Sequence, residues 1–436
     1  MPQPDPARGG LPPGPDSPGL PSPGPDSRGL PSPGLPSPGL RSSGPQLALI
    51  ALTQVLALAV WFSASAVLPV LRRDWDLGTA GAVALTVAVQ LGFVVGALAS
   101  ATTGLADRVR PERLLATGAG AAAGCTLAVA VLADGPGVAV LLRFATGAGL
   151  ALVYPIGMKL MASWFGARGR GLALGVLVGA LTLGSLLPQL LVGVLGDSWR
   201  AVLVAAAGCG AVAALLALAA LRTGPHLSVG ARPRAAQALD GFRAARPRLV
   251  NLAYLGHMWE LYALWTWASA WLTASRAVHD PSLDAAGIAL LALVAFGICG
   301  AAGCVLGGWA AGRVGRAPVA TVAVATSGVC CLLSPWAWSW PTGLLGVFVC
   351  VWGASVIADS AMFSTLLSEV SDRRWVGTAL TVQTATGFLL TTVTISALPY
   401  LAEAVTWRWT LVPLAAGPVL SVAALARFRR LTAAPA

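Results

Sequence analysis

Charged residues are what this sequence has least of. Only 10% of its 436 residues are Asp, Glu, Lys or Arg, where a soluble domain carries about 25%. Apolar residues make up 56% and the mean hydropathy is +0.76. A soluble core of this size would leave a wide apolar surface in water, so hydrocarbon must be the solvent. Other absences narrow the class further. No phosphate-cradling G-x-x-x-x-G-K-S/T loop occurs, which argues against ATP as the driving force. The seven cysteines sit in apolar runs with no metal-ligand spacing to histidine, so they read as small packing residues and no cofactor is expected. The first 45 residues lack the basic, apolar and cleavage regions of a signal peptide. The net charge of +11 does not point to nucleic acid, because the basic residues lie between apolar segments, where they orient a membrane protein.

What is present is organised around one polar interruption. Residues 222–248 carry six arginines (Arg222, Arg232, Arg234, Arg243, Arg246, Arg248) against a single acid, Asp240. A weakly amphipathic stretch from Leu239 to Ala245 could lie on a membrane surface there. Residues 1–45 are Pro, Gly and Ser with a short repeat, which predicts a disordered tail. Between tail and C-terminus lie twelve apolar segments, each long enough to cross about 30 Å of hydrocarbon. Their expected spans are 46–71, 79–102, 113–133, 137–162, 170–196, 199–221, 249–273, 285–311, 317–335, 341–363, 376–398 and 408–427. The chain thus divides into a tail (1–45), a first half (46–221), a linker (222–248), a second half (249–427) and a short tail (428–436). Loops after the even segments two to ten hold fifteen arginines and loops after odd segments five. The positive-inside rule then places both termini and the linker in the cytoplasm of a multi-pass protein of the cytoplasmic membrane.

The two halves repeat each other. Trp61-Phe62-Ser63-Ala64-Ser65-Ala66-Val67-Leu68 aligns with Trp265-Thr266-Trp267-Ala268-Ser269-Ala270-Trp271-Leu272, 204 positions on. Ala106-Asp107-Arg108-Val109 aligns with Ala311-Gly312-Arg313-Val314, and Gly171-Leu172-Ala173-Leu174 with Gly377-Thr378-Ala379-Leu380, at nearly the same offset. Three matches at nearly one offset indicate two homologous halves joined by one linker. Glycines at four-residue spacing (Gly92 and Gly96; Gly171, Gly175 and Gly179) let backbones approach closely in lipid. They serve either static packing or two bundles that rock against one another.

Thr103-Gly104-Leu105-Ala106-Asp107-Arg108-Val109-Arg110-Pro111-Glu112-Arg113 resembles the signature loop of the major facilitator superfamily, G-x-L-a-D-R-x-G-R-K/R. Leu105 to Arg108 match; Thr103, Arg110 and Pro111 depart from it. The second copy, Gly308-Trp309-Ala310-Ala311-Gly312-Arg313-Val314-Gly315-Arg316, keeps the glycines and arginines but not the acid. Arg143-Phe144-Ala145-Thr146-Gly147-Ala148-Gly149 resembles the family's R-x-x-Q-G-x-G pattern with Thr146 for Gln. The Gly-Pro pair of the family's proton-coupled drug antiporters is missing from segment five, where Gly184 and Pro188 stand apart. The resemblance implies an all-α membrane protein with twelve transmembrane helices in two homologous six-helix bundles around a midplane site. It also implies gating roles for Asp107, Arg108, Arg313 and Arg316. Asp359 reads either as a partner of Arg313 or Arg316 or as a residue lining the inner cavity.

Within the segments, Arg143 falls on one helical face with Gly147, Leu150 and Tyr154, so a substrate anion could meet a buried cation there. Lys159 reads as a snorkelling side chain. Glu260 lies near the centre of segment seven with His257 one turn earlier, and intramembrane acids by default mark function, commonly proton relays. The expected protein is a secondary active transporter, not an enzyme. It would move a small polar or anionic solute by alternating access, coupled to protons, with solute, protons and lipid as its only partners. Drug or metabolite export by proton antiport is the alternative. A non-transporting sensor, or a membrane enzyme built on His257 and Glu260, is more remote.

Overall fold

In hydrocarbon a chain finds no water for its N–H and C=O groups, so an apolar stretch must close its own hydrogen bonds as a helix. The computed structural model describes residues 40–165, 167–196, 198–227, 243–372 and 376–433, and among these it is helical throughout, with no strand. Ten of its helical stretches are long and apolar enough to cross a membrane. They account for segments two to six and eight to twelve. The other two depart from the simple pattern for visible reasons. Segment one is broken into Leu40–Leu58, Ser63–Ala66 and Leu68–Asp74. Segment seven is one unbroken helix, Ala245–His279, whose hydropathy is lowered by buried Asn251, His257, Glu260 and Arg276. The described chain begins within a helix at Leu40. Residues 1–39 and 228–242, including most of the amphipathic linker stretch, lie outside the described residues.

The helices pair in the same way in both halves. In the first, segment one packs on five and six, three on six, and four on two and three. In the second, seven packs on eleven and twelve, nine on twelve, and ten on eight and nine. Each pairing recurs six segments later, which makes the architecture two homologous six-helix bundles. Single contacts repeat too. A Cβ on Gly147 would stand 2.0 Å from the Val89 carbonyl oxygen, and one on Gly353, 206 positions on, 2.0 Å from that of Ala295, itself 206 positions after Val89. Arg200 Nη2 reaches Asp134 at the end of segment three (3.4 Å), while Arg408 Nε donates to the Pro335 carbonyl at the end of segment nine (3.0 Å). These two arginines open Trp-Arg-x-x-Leu-Val stretches beginning at Trp199 and Trp407.

The halves meet along segments five against eight and two against eleven. A Cβ on Gly175 would come within 2.8 Å of the Cys304 carbonyl oxygen, so glycine is what lets five and eight touch through their backbones. Gly92 and Gly96 instead face Phe144 and Ala148 of segment four, inside their own half. Large apolar side chains such as Leu141, Val194, Leu215 and Val322 cover the outside, as lipid solvation requires.

Candidate functional site

Segment seven brings the ionisable groups together. Glu260 is 1% exposed. Its Oε1 accepts from Ser327 Oγ, from Cys331 Sγ at 3.1 Å and from Trp352 Nε1 at 3.0 Å. Ser327 and Cys331 stand one turn apart on segment nine, and Trp352 lies on segment ten, so one oxygen gathers donors from two neighbouring helices. Among the described residues the acid is held by dipoles rather than by a cation. Such a site tolerates gain and loss of a proton better than an ion pair, because no partner charge is stranded when the acid becomes neutral.

One turn earlier, His257 Nδ1 lies 3.0 Å from Asp359 Oδ1, with both side chains buried. Asp359 sits at the break between Thr342–Ala358 and Ser360–Val370. Of the two readings of Asp359, a partner of Arg313 or Arg316 or a residue lining the inner cavity, the first is not the contact seen here. Arg316 pairs with Glu369, and the Arg313 guanidinium stacks 3.8 Å from the Trp309 ring centre. The helix break turns Asp359 inward toward segment seven. His257 Nε2 and the oxygens of Asp359 have no further hydrogen-bond partner among the described residues. His257 also packs against Tyr254 and Phe363.

Arg143 is 1% exposed and spends its guanidinium on the backbone. Nη1 donates to the Val60 carbonyl (2.8 Å) and toward Ser63 Oγ (3.4 Å), and Nη2 donates to the Trp61 carbonyl. These carbonyls are released where segment one breaks after Leu58, and an unsatisfied backbone group is costly in lipid. Segment four is also broken, between Pro136–Leu150 and Tyr154–Trp164. The face that Arg143 and Tyr154 would share in a continuous helix is therefore interrupted, and Arg143 bonds to segment one rather than to Glu260.

Between the halves lies an aromatic cluster that the sequence pattern only hinted at through its aligned tryptophans. Trp61, Phe62 and Phe93 of the first half meet Tyr262, Trp265 and Phe388 of the second. Ring centres are 4.3 Å apart for Phe93 and Phe388, 5.9 Å for Trp61 and Tyr262, and 6.1 Å for Phe62 and Trp265. The indole nitrogens of Trp61 and Trp265 have no acceptor among the described residues. At the end of the bundle away from Leu40 and Arg430, Thr79 Oγ1 donates to Glu403, joining segment two to segment eleven, and accepts from Arg72 Nη2 (3.1 Å).

The signature loop forms a short helix, Leu105–Arg108, entered through Gly104 at φ 63. Left-handed backbone of that kind suits glycine. Arg108 is exposed, and the side chain of Asp107 lies outside the described residues. Lys159 does more than snorkel: its Nζ donates to the Ala106 carbonyl at 2.8 Å and fastens this loop to segment four. Glu112, where the family motif has a base, accepts from the backbone and hydroxyl of Thr223, both at 2.9 Å, and so anchors the start of the linker.

The sequence profile of the Major Facilitator Superfamily matches residues 50–391. No curated protein matches at the sequence level. Among solved structures, the proton:xylose symporter XylE bound to 6-bromo-6-deoxy-D-glucose superposes with a TM-score of 0.67 at 16% identity, covering 88% of this chain and 96% of that one. The E. coli fucose:proton symporter FucP gives 0.63 at 15% identity, covering 91% and 100%. The nucleoside transporter NupG gives 0.64 at 15%, covering 88% and 99%. At these identities the likeness is one of fold.

Proposed function

The chain belongs to the major facilitator superfamily and is a transporter rather than an enzyme, and on that footing we propose that it carries a small polar solute coupled to protons. Glu260 is the proton-carrying acid in this reading, and the His257–Asp359 pair is a second ionisable element one turn away. The observation that carries it is the fully buried carboxylate of Glu260, bonded to three neutral donors and, among the described residues, to no cation. Exchange of its environment as the two bundles rock about a midplane site would load and release the proton. Asp107, Arg108, Arg313 and Arg316 stabilise one end state, and the linker at 222–248 joins the moving halves. Both termini face the cytoplasm.

An anionic solute would need a cation to meet it. Arg143, the buried cation the sequence offered for that role, is engaged by carbonyls of segment one. A neutral solute with hydroxyls and an apolar face suits the site better, and the aromatic cluster supplies surfaces for that face. Neighbours of the same fold are named for xylose, fucose and nucleoside transport. The test is counterflow in proteoliposomes with D-xylose, L-fucose, uridine and, as the anionic arm, lactate. Exchange of a neutral member supports the reading. Exchange of lactate alone would return Arg143 to the substrate.

A further inference from the structure

Segments seven and twelve run antiparallel and in close register. Ser421 Oγ donates to the Ala253 carbonyl (2.7 Å) and Trp259 Nε1 to the Pro413 carbonyl (3.2 Å). At the start of segment seven, Arg246 Nη2 donates to the Leu431 carbonyl at the end of segment twelve (3.2 Å). This register sets Arg248 level with Phe428. Arg246, Arg248, Arg427, Arg429 and Arg430 are all exposed there, around a base formed by buried Pro247 and Phe428. No acid occurs in 245–259 or 411–433. The start of one helix adjoins the end of the other, so their opposite terminal dipoles largely cancel and the arginine charge remains. Elsewhere on the same face arginines meet acids, as Arg110 meets Glu112 and Arg316 meets Glu369. Two turns further along segment twelve, Val419 and Leu420 are exposed on the lipid-facing surface. The charged corner thus runs directly into an acyl-facing wall.

We propose that this corner binds the phosphate headgroup of an anionic phospholipid from the leaflet on its own side of the membrane. Guanidinium groups match phosphate oxygens in paired hydrogen bonds. Clusters of four to eight basic residues beside a membrane helix recruit anionic lipids. Orientation by positive charge alone would not require five arginines from two segments far apart in sequence at one corner, with no acid on either segment there.

The experiment uses the full chain in nanodiscs of phosphatidylglycerol or phosphatidylcholine. Native mass spectrometry counts the retained lipid, and tryptophan fluorescence follows thermal unfolding. Phosphatidylglycerol should be retained and should raise the unfolding temperature. Arg246→Gln/Arg248→Gln and, separately, Arg427→Gln/Arg429→Gln/Arg430→Gln should weaken that preference about fivefold per arginine removed. Arg110→Gln/Arg113→Gln, on the same face, should leave it intact. If one patch variant fails to fold, the other decides. Undiminished retention in a folded patch variant, or equal loss in the control, overturns the proposal. So does equal stabilisation by inorganic phosphate in phosphatidylcholine, which would mean a soluble anion is the ligand.

Discussion

Replacing Glu260 by glutamine separates a proton carrier from a structural acid. The substitution keeps an oxygen for Ser327, Cys331 and Trp352 and removes the titratable proton. A hydrogen bond to a neutral acceptor is worth about 1 kcal/mol less than one to a charged acceptor, so the loss of stability is at most about 3 kcal/mol across the three donors. Glu260→Ala is harsher, because Trp352 Nε1 would be stranded in the core at about 1–3 kcal/mol in addition to the cavity. For transport the magnitude follows from the driving force. A pH difference of one unit stores about 1.4 kcal/mol per proton, which sustains about tenfold accumulation if one proton moves with each solute. Proteoliposomes with the membrane potential clamped and a one-unit pH step should show that ratio for the native protein. The Glu260→Gln protein should show none, while solute counterflow, which needs no net proton movement, continues. Accumulation of about tenfold by the variant under a proton gradient alone would refute the assignment. A folded variant that loses counterflow as well would place Glu260 on the solute instead.

Four further outcomes are expected. His257→Gln or Asp359→Asn alone should cost about 3–5 kcal/mol by leaving one buried partner uncompensated, and the double variant should recover much of it; simple additivity in thermal unfolding would show that the pair does not interact. Arg143→Lys should lower the unfolding temperature, because the shorter side chain with its single nitrogen loses the fork whose two nitrogens reach the carbonyls of Val60 and Trp61 separately. Val60 keeps its bond from Ser63 Oγ, so the Trp61 carbonyl is the group left exposed to a cost of about 1–3 kcal/mol; unchanged stability with lost solute binding would assign the guanidinium to the solute. Gly175→Leu should slow exchange at least tenfold by wedging segments five and eight apart, whereas Gly124→Leu, with nothing within 4 Å, should not; equal rates would mean that this contact is not a moving one. Cysteines introduced at 222–248 into a protein lacking its native cysteines should resist impermeant thiol reagents added outside intact cells, and ready labelling would invert the orientation.

Some of this was legible in the sequence because hydrocarbon is a strict solvent. It demands about 20 apolar residues per crossing, so the twelve segments and their order stand out. An acid at position 260 stands out because so few occur in such stretches. Its donors do not, since Ser327, Cys331 and Trp352 lie 67, 71 and 92 positions away on other helices. Hydropathy is also blind to helix breaks. The break after Leu58 gives Arg143 its carbonyls, and the break at Asp359 points that carboxylate toward His257 instead of toward the nearer arginines of the loop. Some signals were present but weak: Arg72 and Asp76 recur as Arg276 and Asp280 at the offset of 204, and the two Trp-Arg-x-x-Leu-Val stretches recur at a slightly larger one.

The duplication makes the differences between the halves informative. Asp359 corresponds to Val153, 206 positions earlier, and both stand at the break of their segment. In the first half Gln54 Nε2 donates to the Val153 carbonyl at 3.0 Å, a neutral bond at the place where the second half has His257 and Asp359. Arg143 corresponds to Val349. The second half needs no guanidinium there, because segment seven runs unbroken and releases no carbonyls for one to satisfy. An arginine stays charged in a protein, and this one is tied to main chain, so it can hold a shape but cannot exchange protons. Glu260, His257 and Asp359 can. In the proposed reading the first half therefore serves as a fixed frame and the second half carries the groups that would exchange the proton, and the two halves touch through backbone at Gly175 and Cys304.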